Sequence, residues 1–206
     1  MGAYSKYILP RLLDLAMRNS EMARLRAEWV SQARGEVLEI GIGSGLNLPF
    51  YSADVQRVRG LDPSLELQRE ARKRAALTDF PVEFVRQSAE LAPPIANATI
   101  DTVVVTWTLC SVGDPVLVLR NAGRVLKPEG RLIFLEHGRS PSAAVASWQD
   151  KLTPPWKHFA GGCTLNRRID EIIRSAGFHI SHLTTGYMRG PRLMTFMYKG
   201  IAQSML

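Results

Sequence analysis

Cysteine and histidine are scarce in this chain. Only two cysteines, Cys110 and Cys163, occur in its 206 residues, and they stand far apart. Two distant cysteines in a chain without a visible export signal exclude a disulfide framework and predict a reduced, cytoplasmic setting. The four histidines, at positions 137, 158, 179 and 182, show neither HExxH nor another ligand spacing. We therefore expect no metal site.

Long hydrophobic runs are missing as well. No apolar segment approaches the roughly 18 residues that a membrane-spanning helix needs. The first residues are broken by Pro10 and by charges, which is not the pattern of a signal peptide. Hydrophobic residues make up 46% of the chain and charged residues 22%, a composition that excludes a disordered or fibrous protein. The length suits one domain.

A concentrated patch of positive charge is also missing, although the net charge is +7. The basic residues are spread over several predicted helices, and no aromatic residues alternate with them as they do in single-strand nucleic-acid binders. This pattern is typical of solvated helix faces, so we expect no nucleic-acid partner. Attraction to an anionic lipid surface or to an acidic substrate stays open.

What the sequence does contain is an alternation of short apolar runs and helical segments. Five runs are typical of strands: "EVLEIGIG", "VQRVRGLD", "PVEFVRQSAE", "TIDTVVVTWTL" and "RLIFLEHG". The consecutive valines of "TIDTVVVTWTL" predict burial on both faces of that strand. Helical patterns occur in "PSLELQREARKRAAL", where Ser64 is predicted to cap the helix, and in "DPVLVLRNAGRVL" and "RRIDEIIRSAG". The spacing predicts βαβ units and hence a parallel sheet with helices on both faces. The segment "SPSAAVASWQDKLTPPWKHFAGGCTLN" is predicted to be an irregular insertion.

The alternation ends with two strand-like runs, "FHISHLTTGYM" and "RLMTFMYKGIA". Because only a few residues join them, they must run antiparallel. The chain therefore predicts an α/β fold with a Rossmann-like, seven-stranded, mostly parallel sheet and an antiparallel last strand. Residues 35–206 are expected to form this domain, with residues 1–34 as a helical cap in front of it.

A glycine-rich turn follows the first strand in "VLEIGIGSGLNLPFY". Gly41, Gly43 and Gly45 allow positive φ angles and let a ligand approach the backbone without meeting a Cβ. In an open parallel sheet, ligands bind beyond the carboxyl ends of the strands, where this turn lies. Asp62 ends the second strand about twenty residues further on, where a carboxylate can accept both hydroxyls of a ribose. Together these features predict a nucleoside pocket.

The acid before the glycines indicates which nucleoside binds. The turn reads GxGxG and not the GxGxxG of dehydrogenases, whose helix N-terminus receives a pyrophosphate. Glu39 lies just before the first glycine, where it would repel a phosphate but attract a cationic amino group. S-adenosylmethionine (SAM) carries a ribose, an adenine, an ammonium and a sulfonium, and no phosphate. We therefore expect SAM as the ligand.

The ordered set "VLEIGIGSG", "GLDPS", "RQSAE", "IDTVVVTWTL" and "RVLKPEGRLIFLEHG" resembles the motif series of class I SAM-dependent methyltransferases with a methyltransferase type 11 domain. The resemblance implies SAM as methyl donor and S-adenosylhomocysteine as product. It implies that Glu39 faces the methionine amino group, that the 41–45 loop wraps the methionine and ribose, and that Asp62 holds the ribose hydroxyls. The remaining positions that it assigns to the cofactor are Ile42 and Asn47 in the loop, Pro63, Ser64, Ser88 and Ala89 around the adenine, and Thr106 and Trp107 at the methyl-donor end.

Narrower features resemble the thiol S-methyltransferase branch of this family, namely "GLNLPFY", "TLCSV", "EHG" and "PPWKHFAGGCTLNRR". This resemblance implies a small apolar or amphipathic acceptor, with a thiol as the leading choice. Quinone C-methyltransferases and phospholipid-headgroup N-methyltransferases share the general scaffold, so those acceptors stay open. A SAM-binding protein without turnover is the alternative from another class. The sequence does not indicate an oligomeric state.

Candidate acceptor residues lie near the end of the fifth strand and in the segment after it. His137 is either the base that takes the proton of a thiol or a histidine that satisfies a loop backbone. Trp156 and Phe159 are expected to supply an apolar wall. Cys163 is expected to be a small buried residue and not a nucleophile, because methyl transfer needs no covalent enzyme intermediate. Arg167 either attracts an anionic acceptor or is merely solvated. Cys110 follows a predicted buried strand and is expected to pack in the core.

The predicted N-terminal cap is amphipathic. Tyr7, Ile8, Leu12 and Leu15 recur at helical spacing beside basic residues. Such a surface either lies on a membrane or covers the acceptor pocket. We expect a lid, because a helix that precedes the first strand must pack on this domain. Peripheral membrane contact through these helices stays open.

Overall fold

The computed structural model describes residues 14–205, which form one seven-stranded sheet. The strands are β1 (Gly35–Ile40), β2 (Val55–Leu61), β3 (Val82–Val85), β4 (Ile100–Thr106), β5 (Leu126–His137), β6 (Phe178–Tyr187) and β7 (Phe196–Ser204). Their order across the sheet is β3-β2-β1-β4-β5-β7-β6. β1 is therefore flanked by β2 on one side and by β4 on the other.

The pairing of the strands confirms the predicted fold class. β1 to β5 pair in parallel, whereas β7 is antiparallel to both β5 and β6. The chain runs from β1 outward to β2 and β3, and then crosses to β4 on the opposite side of β1. This reversal opens a crevice at the carboxyl ends of β1 and β4, which is where ligands bind in open α/β sheets.

The helices are α1 (Ser20–Trp29), α2 (Leu65–Ala75), α3 (Pro115–Val125), α4 (Ala143–Phe159) and α5 (Ile169–Ser175). Ser64 caps α2 as predicted, because its hydroxyl accepts a hydrogen bond from the backbone nitrogen of Leu67 over 3.3 Å. Asp114 caps α3 in the same way, with 2.9 Å to the nitrogen of Leu117. None of the helices within residues 14–205 is long and apolar enough to cross a bilayer.

The core occupies both faces of the sheet, as the side chains of β4 make clear. Val103 and Val105 pack on one face in a cluster with Leu119 of α3. Val104 points to the opposite face and packs in a cluster with Trp29 of α1. All three valines are fully buried. A continuous apolar strand predicts this burial, because helices cover both faces of a parallel sheet.

The prediction of an irregular insertion after β5 is wrong, because that segment contains helix α4. Pro154 and Pro155 lie inside the helix, and each lacks the backbone donor that would bond to the preceding turn. Contacts between α4 and other parts of the chain outweigh the loss of these helical hydrogen bonds. The side-chain amide of Gln149, fully buried in α4, donates to the carbonyl oxygens of Gly138 over 3.0 Å and Leu193 over 2.9 Å.

Candidate active site

A cavity of about 1530 Å³ opens at the crevice. Every predicted cofactor residue except Gly45 lines it, and so do three residues of the predicted acceptor set, His137, Trp156 and Cys163. Pockets for one small ligand usually measure about 300 to 1,000 Å³. The cavity is therefore large enough to hold a second molecule beside a nucleoside.

The glycines of the turn have two different roles. All three have positive φ angles, of 77° at Gly41, 53° at Gly43 and 78° at Gly45. A Cβ at Gly41 would collide with the side chain of Thr108, and one at Gly45 would lie 2.9 Å from Leu48. A Cβ at Gly43 would meet nothing closer than 3.8 Å. Of the three, only Gly43 therefore presents open backbone to a ligand, while the other two allow close packing.

Asp62 is buried at the end of β2 and holds the turn in place. Its Oδ2 accepts a hydrogen bond from the backbone nitrogen of Gly43 over 3.0 Å, and its Oδ1 accepts one from Ser64 over 2.8 Å. Burial raises the pKa of Asp62, and these two hydrogen bonds oppose the rise. Because each carboxylate oxygen can accept more than one hydrogen bond, Asp62 keeps capacity for a ligand in the cavity.

Glu39 is 1% exposed and forms the centre of a polar network. Its Oε1 accepts a hydrogen bond from the side-chain amide of Asn47, and its Oε2 accepts one from the hydroxyl of Tyr51, both over 2.9 Å. The same amide nitrogen of Asn47 lies 3.0 Å from the hydroxyl of Thr106. The end of β1 is thus tied both to the turn and to the end of β4.

Arg26 brings a positive charge from α1 into this network. Its Nε donates to the Oδ1 of Asn47 over 3.1 Å, and its guanidinium lies 4.8 Å from the ring centre of Trp107. Burial raises the pKa of Glu39 to about 8, although its hydrogen bonds and the charge of Arg26 lower it. A cationic ligand beside Glu39 would return this carboxyl to its charged form.

Trp107 has a strained backbone at the end of β4. Its φ angle is 47°, which is unusual for a bulky residue. Its backbone nitrogen donates to the carbonyl oxygen of Leu135 over 2.9 Å. Its indole nitrogen is buried and has no hydrogen-bond partner in the described part of the chain. Strain of this kind concentrates at functional sites, and Trp107 lies where the methyl-donor end is predicted.

Three further residues lie close together: Cys110, His137 and Cys163. We call them the soft-ligand cluster. Nε2 of His137 lies 3.2 Å from Sγ of Cys163, and one ligand atom from each residue lies within 4.8 Å of the other two. Burial opposes the charged form of His137, but the contact with Cys163 raises its pKa overall. Contact with Cys110 and burial raise the pKa of the Cys163 thiol. Cys110, expected only to pack in the core, thus also lines the cavity.

Two predicted acceptor residues lie outside the cavity. The guanidinium of Arg167 donates to the carbonyl oxygens of Leu109 and, over 2.7 Å, of Val112, so it braces the loop after β4 and faces no acceptor. Phe159, at the end of α4, is 68% exposed. Apolar side chains that do line the cavity, besides Trp156, include Leu165, Met188 and Met194.

Helix α1 forms part of the lining of the cavity. Met22 and Arg26 line it, and Glu21 accepts a hydrogen bond from the backbone nitrogen of Arg189 over 2.9 Å. This bond ties α1 to the connection between β6 and β7. Residues of α1, in the described part of the predicted cap, thus line the cavity, and the lid itself stays a prediction. The amphipathic pattern of Tyr7, Ile8 and Leu12 falls outside the described residues.

The sequence did not assign roles to Arg26, Tyr51 or Glu136. Glu136 is fully buried, and its Oε1 accepts hydrogen bonds from the backbone nitrogens of Thr108 over 2.7 Å and Leu109 over 3.0 Å. Burial raises its pKa to about 7. Tyr51 and Glu136 stand in the motifs "GLNLPFY" and "EHG", so a signal for them was present. No sequence pattern indicated a role for Arg26, because arginines in helices are usually exposed to solvent.

An open α/β sheet with a glycine turn after β1, a carboxylate at the end of β2 and a cavity at the strand reversal defines a nucleoside-binding protein. A family model described as "Methyltransferase domain" matches residues 38–134. Thiol S-methyltransferase TMT1B of Homo sapiens is 34% identical over 187 residues, which cover 85% of this chain and 75% of that relative.

Two further similarities point in the same direction. Phosphatidylethanolamine N-methyltransferase of Cereibacter sphaeroides is 35% identical over 131 residues, which cover 61% of this chain and 64% of that relative. The crystal structure of a SAM-dependent methyltransferase from Methanosarcina mazei superposes with a TM-score of 0.66 at 24% identity and covers 85% of this chain and 94% of that chain. This last likeness shows the fold alone.

The chain belongs to the class I SAM-dependent methyltransferases, and SAM is its cofactor. The residues of the cavity fit this cofactor. Gly43 offers backbone that a Cβ would otherwise cover, Glu39 offers a buried acid to a cationic group, and Asp62 offers a carboxylate to a ribose. When bound, SAM supplies a methyl group that is already activated by its sulfonium.

Proposed function

We propose that this chain methylates the sulfur of a small apolar thiol. The observation that carries the proposal is the soft-ligand cluster, which lines the same cavity as the predicted cofactor residues and the apolar side chains of Trp156 and Met194. An apolar wall next to polarisable sulfur atoms suits an uncharged thiol better than a highly hydrated acceptor. The similarity to thiol S-methyltransferase TMT1B supports the same choice.

The near end of the cavity holds the cofactor in this proposal. Glu39 faces the amino group of the methionine portion, and Asp62 accepts the two ribose hydroxyls. The open backbone at Gly43 allows the ligand to approach the turn. Ser88 and Ala89 line the cavity where the adenine would lie. Trp107 then separates the cofactor from the acceptor end.

The protein's contribution to the transfer is alignment and exclusion of water. Because the methyl group is already activated, the acceptor sulfur needs only to be held in line and freed of its proton. Free thiols titrate near pH 8.5, so at neutral pH the site must stabilise the thiolate. His137 is the candidate for that base in the sequence, and its Nε2 lies 3.2 Å from the Sγ of Cys163.

An acceptor screen with methyl-labelled SAM tests the proposal. The purified chain is offered an alkyl thiol, a quinol and an ethanolamine phospholipid in mixed micelles, and the products are identified by mass spectrometry. We expect a labelled thioether and no label in the quinol or the lipid. Label in the quinol or lipid without any in the thiol would refute the choice of acceptor. SAM binding without transfer to any of the three would favour a binding protein.

A phospholipid headgroup is the second candidate acceptor. The 35% identity to a phosphatidylethanolamine N-methyltransferase favours it, and the net charge of +7 suits an anionic lipid surface. An amine acceptor would need a polar or acidic group at the far end of the cavity. The soft-ligand cluster at that end is less suited to it, so we rank the lipid second.

A further inference from the structure

The soft-ligand cluster brings three chain segments to one point. Cys110 follows β4, His137 is the last residue of β5, and Cys163 follows the turn that ends α4. Two cysteines and one histidine thus converge at the wall of the cavity, from positions that show no metal-binding spacing along the chain.

We propose that the soft-ligand cluster holds one zinc ion, whose fourth position faces the cavity and takes the sulfur of the acceptor thiol. The role for the thiol rests on the proposed function. Two cysteines and one histidine are a ligand set found in catalytic zinc sites, which leave the fourth position to water or substrate. These three side chains suit zinc, because thiolates and imidazoles are ligands that zinc prefers.

The distances suit a tetrahedral zinc site. With bonds of about 2.3 Å to sulfur and 2.0 Å to nitrogen, the ligand atoms of such a site lie about 3.5 to 3.8 Å apart. The His137 and Cys163 atoms are 3.2 Å apart, and no pair in the cluster exceeds 4.8 Å. Shifts of about 1 Å in the ligand atoms would therefore bring them to the separations of a zinc site. A small rotation about χ1 of a cysteine can supply such a shift.

Hydrogen bonds fix the three ligand-bearing segments against one another. Glu136, next to His137, accepts from the backbone nitrogens of Thr108 and Leu109, just before Cys110. Thr164, next to Cys163, donates from both its backbone nitrogen and its hydroxyl to the carbonyl oxygen of Cys110, each over 2.8 Å. The backbone positions of the ligands are therefore set before any ion binds, which is what a metal site requires.

The charge balance also favours zinc. Two thiolates and a neutral imidazole cancel the two positive charges of the ion, so the site, in which Cys110 and His137 are buried and Cys163 is partly buried, carries no net charge. The bound ion would displace one proton from each cysteine and leave His137 neutral. This assigns His137 to the metal and to neither of the two roles considered from the sequence, general base or partner of a loop backbone.

The proposed zinc site also explains how the acceptor thiol loses its proton. The thiol replaces a water on the zinc and releases its proton to solvent, because zinc binds the thiolate form. Transfer then forms the bond between the methyl carbon and the acceptor sulfur and breaks the carbon–sulfur bond of the sulfonium, whose electron pair stays on the donor sulfur. The product thioether is a neutral, weaker ligand and leaves.

Metal analysis of the full chain tests the inference. Wild type, Cys110→Ala, Cys163→Ala and the control His158→Ala are purified with reductant and zinc, dialysed, and analysed by inductively coupled plasma mass spectrometry. His158 is exposed on α4, outside the cavity. We expect about one zinc per chain in wild type and control, and at least a tenfold loss in each cysteine variant. A zinc-free wild type, or equal zinc in all four proteins, would overturn the proposal.

Two measurements on the wild-type chain remain decisive even if the cysteine variants fail to fold. With cobalt in place of zinc, we expect a thiolate-to-cobalt absorption band that shifts when an alkyl thiol is added. Without such a band the cluster is not the metal site. Removal of zinc by a chelator should abolish thiol methylation and leave SAM binding unchanged by calorimetry. Full methylation without metal would refute the zinc site but not the proposal that the acceptor is a thiol. Zinc binding without thiol methylation would refute the proposed role of the ion in the transfer.

Discussion

The carboxylate of Asp62 accepts a hydrogen bond from the backbone nitrogen of Gly43 over 3.0 Å. The acid that ends β2 therefore anchors the glycine whose Cβ position is open toward the cavity. Two motifs that are separate in the sequence thus act as one unit. Loss of the Asp62 side chain would remove both the proposed ribose acceptor and the anchor of the turn.

Asp62→Ala should weaken SAM binding and leave the fold intact. Hydrogen bonds to a charged group contribute about 1.5 to 3 kcal/mol, which predicts a roughly 10- to 150-fold loss of affinity. Titration calorimetry measures this loss, and circular dichroism checks the fold. Asp79→Ala, at an exposed acid after α2, is the matched control and should bind like wild type. An unchanged affinity in Asp62→Ala would mean that the ribose lies elsewhere.

SAM binding should release a proton from Glu39. The pKa of this carboxyl is raised to about 8 in the free protein, so at pH 6.5 it is mostly protonated. A bound ammonium lowers that pKa, so the complex contains the carboxylate and binding expels a proton. Affinity should therefore rise as the pH increases from 6 toward 8, by up to about tenfold per unit.

Calorimetry at pH 6.5 in two buffers with different ionisation enthalpies counts the released protons. We expect about one proton for wild type and for the control Glu129→Gln, an exposed acid near the start of β5. Glu39→Gln should release none and should bind with an affinity that no longer depends on pH in this range. Equal proton release by Glu39→Gln would assign the proton to another group.

The glycines of the turn should respond differently to alanine. Gly41→Ala forces a Cβ into Thr108 at positive φ, so it should lower the free energy of unfolding by about 2 to 5 kcal/mol. Gly43→Ala adds only the backbone strain of about 1 to 2 kcal/mol but places a methyl group toward the ligand, so it should mainly weaken SAM binding.

Urea unfolding and SAM titration separate these two effects. Gly186→Ala in β6 is the control, because a Cβ there meets no atom within 4 Å, and both quantities should stay near wild type. If Gly43→Ala bound SAM as tightly as wild type, the ligand would not approach the turn at that residue.

Arg26→Ala should destabilise the protein and loosen the cofactor pocket. The side chain is 4% exposed and donates to Asn47, which in turn donates to Glu39. Removal leaves the Oδ1 of Asn47 without this donor, at an expected cost of about 2 to 4 kcal/mol in the free energy of unfolding. Arg26→Lys should rescue it only in part, because an ammonium lacks the planar fork. Urea unfolding measures the stability, and SAM titration measures the effect on the cofactor pocket. Arg120→Ala, at an exposed residue of α3, is the control in both measurements. Equal effects in Arg26→Ala and Arg120→Ala would refute a specific role of Arg26.

Much of the fold followed from local patterns in the sequence. The valine run of β4 predicted a central buried strand, and Ser64 predicted the start of α2. The short connection before the last strand predicted its antiparallel direction. These features succeed because burial and capping leave a signature within a few residues.

The features that the sequence did not reveal depend on contacts between distant segments. Helix α4 forms despite Pro154 and Pro155 because Gln149 bonds to two other parts of the chain. The soft-ligand cluster arises only when β4, β5 and α4 come together. Arg26 contributes to the cofactor pocket only because α1 packs over it. No local pattern encodes such contacts.

A crystal structure with S-adenosylhomocysteine and an alkyl thiol tests the whole mechanism most directly. We expect the ribose hydroxyls on Asp62, the amino group beside Glu39, and the acceptor sulfur beyond Trp107 at the soft-ligand cluster. In that arrangement the two sulfur atoms point at each other, as in-line transfer requires. Adenosyl density away from Asp62, or a thiol bound outside this cavity, would contradict both the cofactor site and the choice of acceptor.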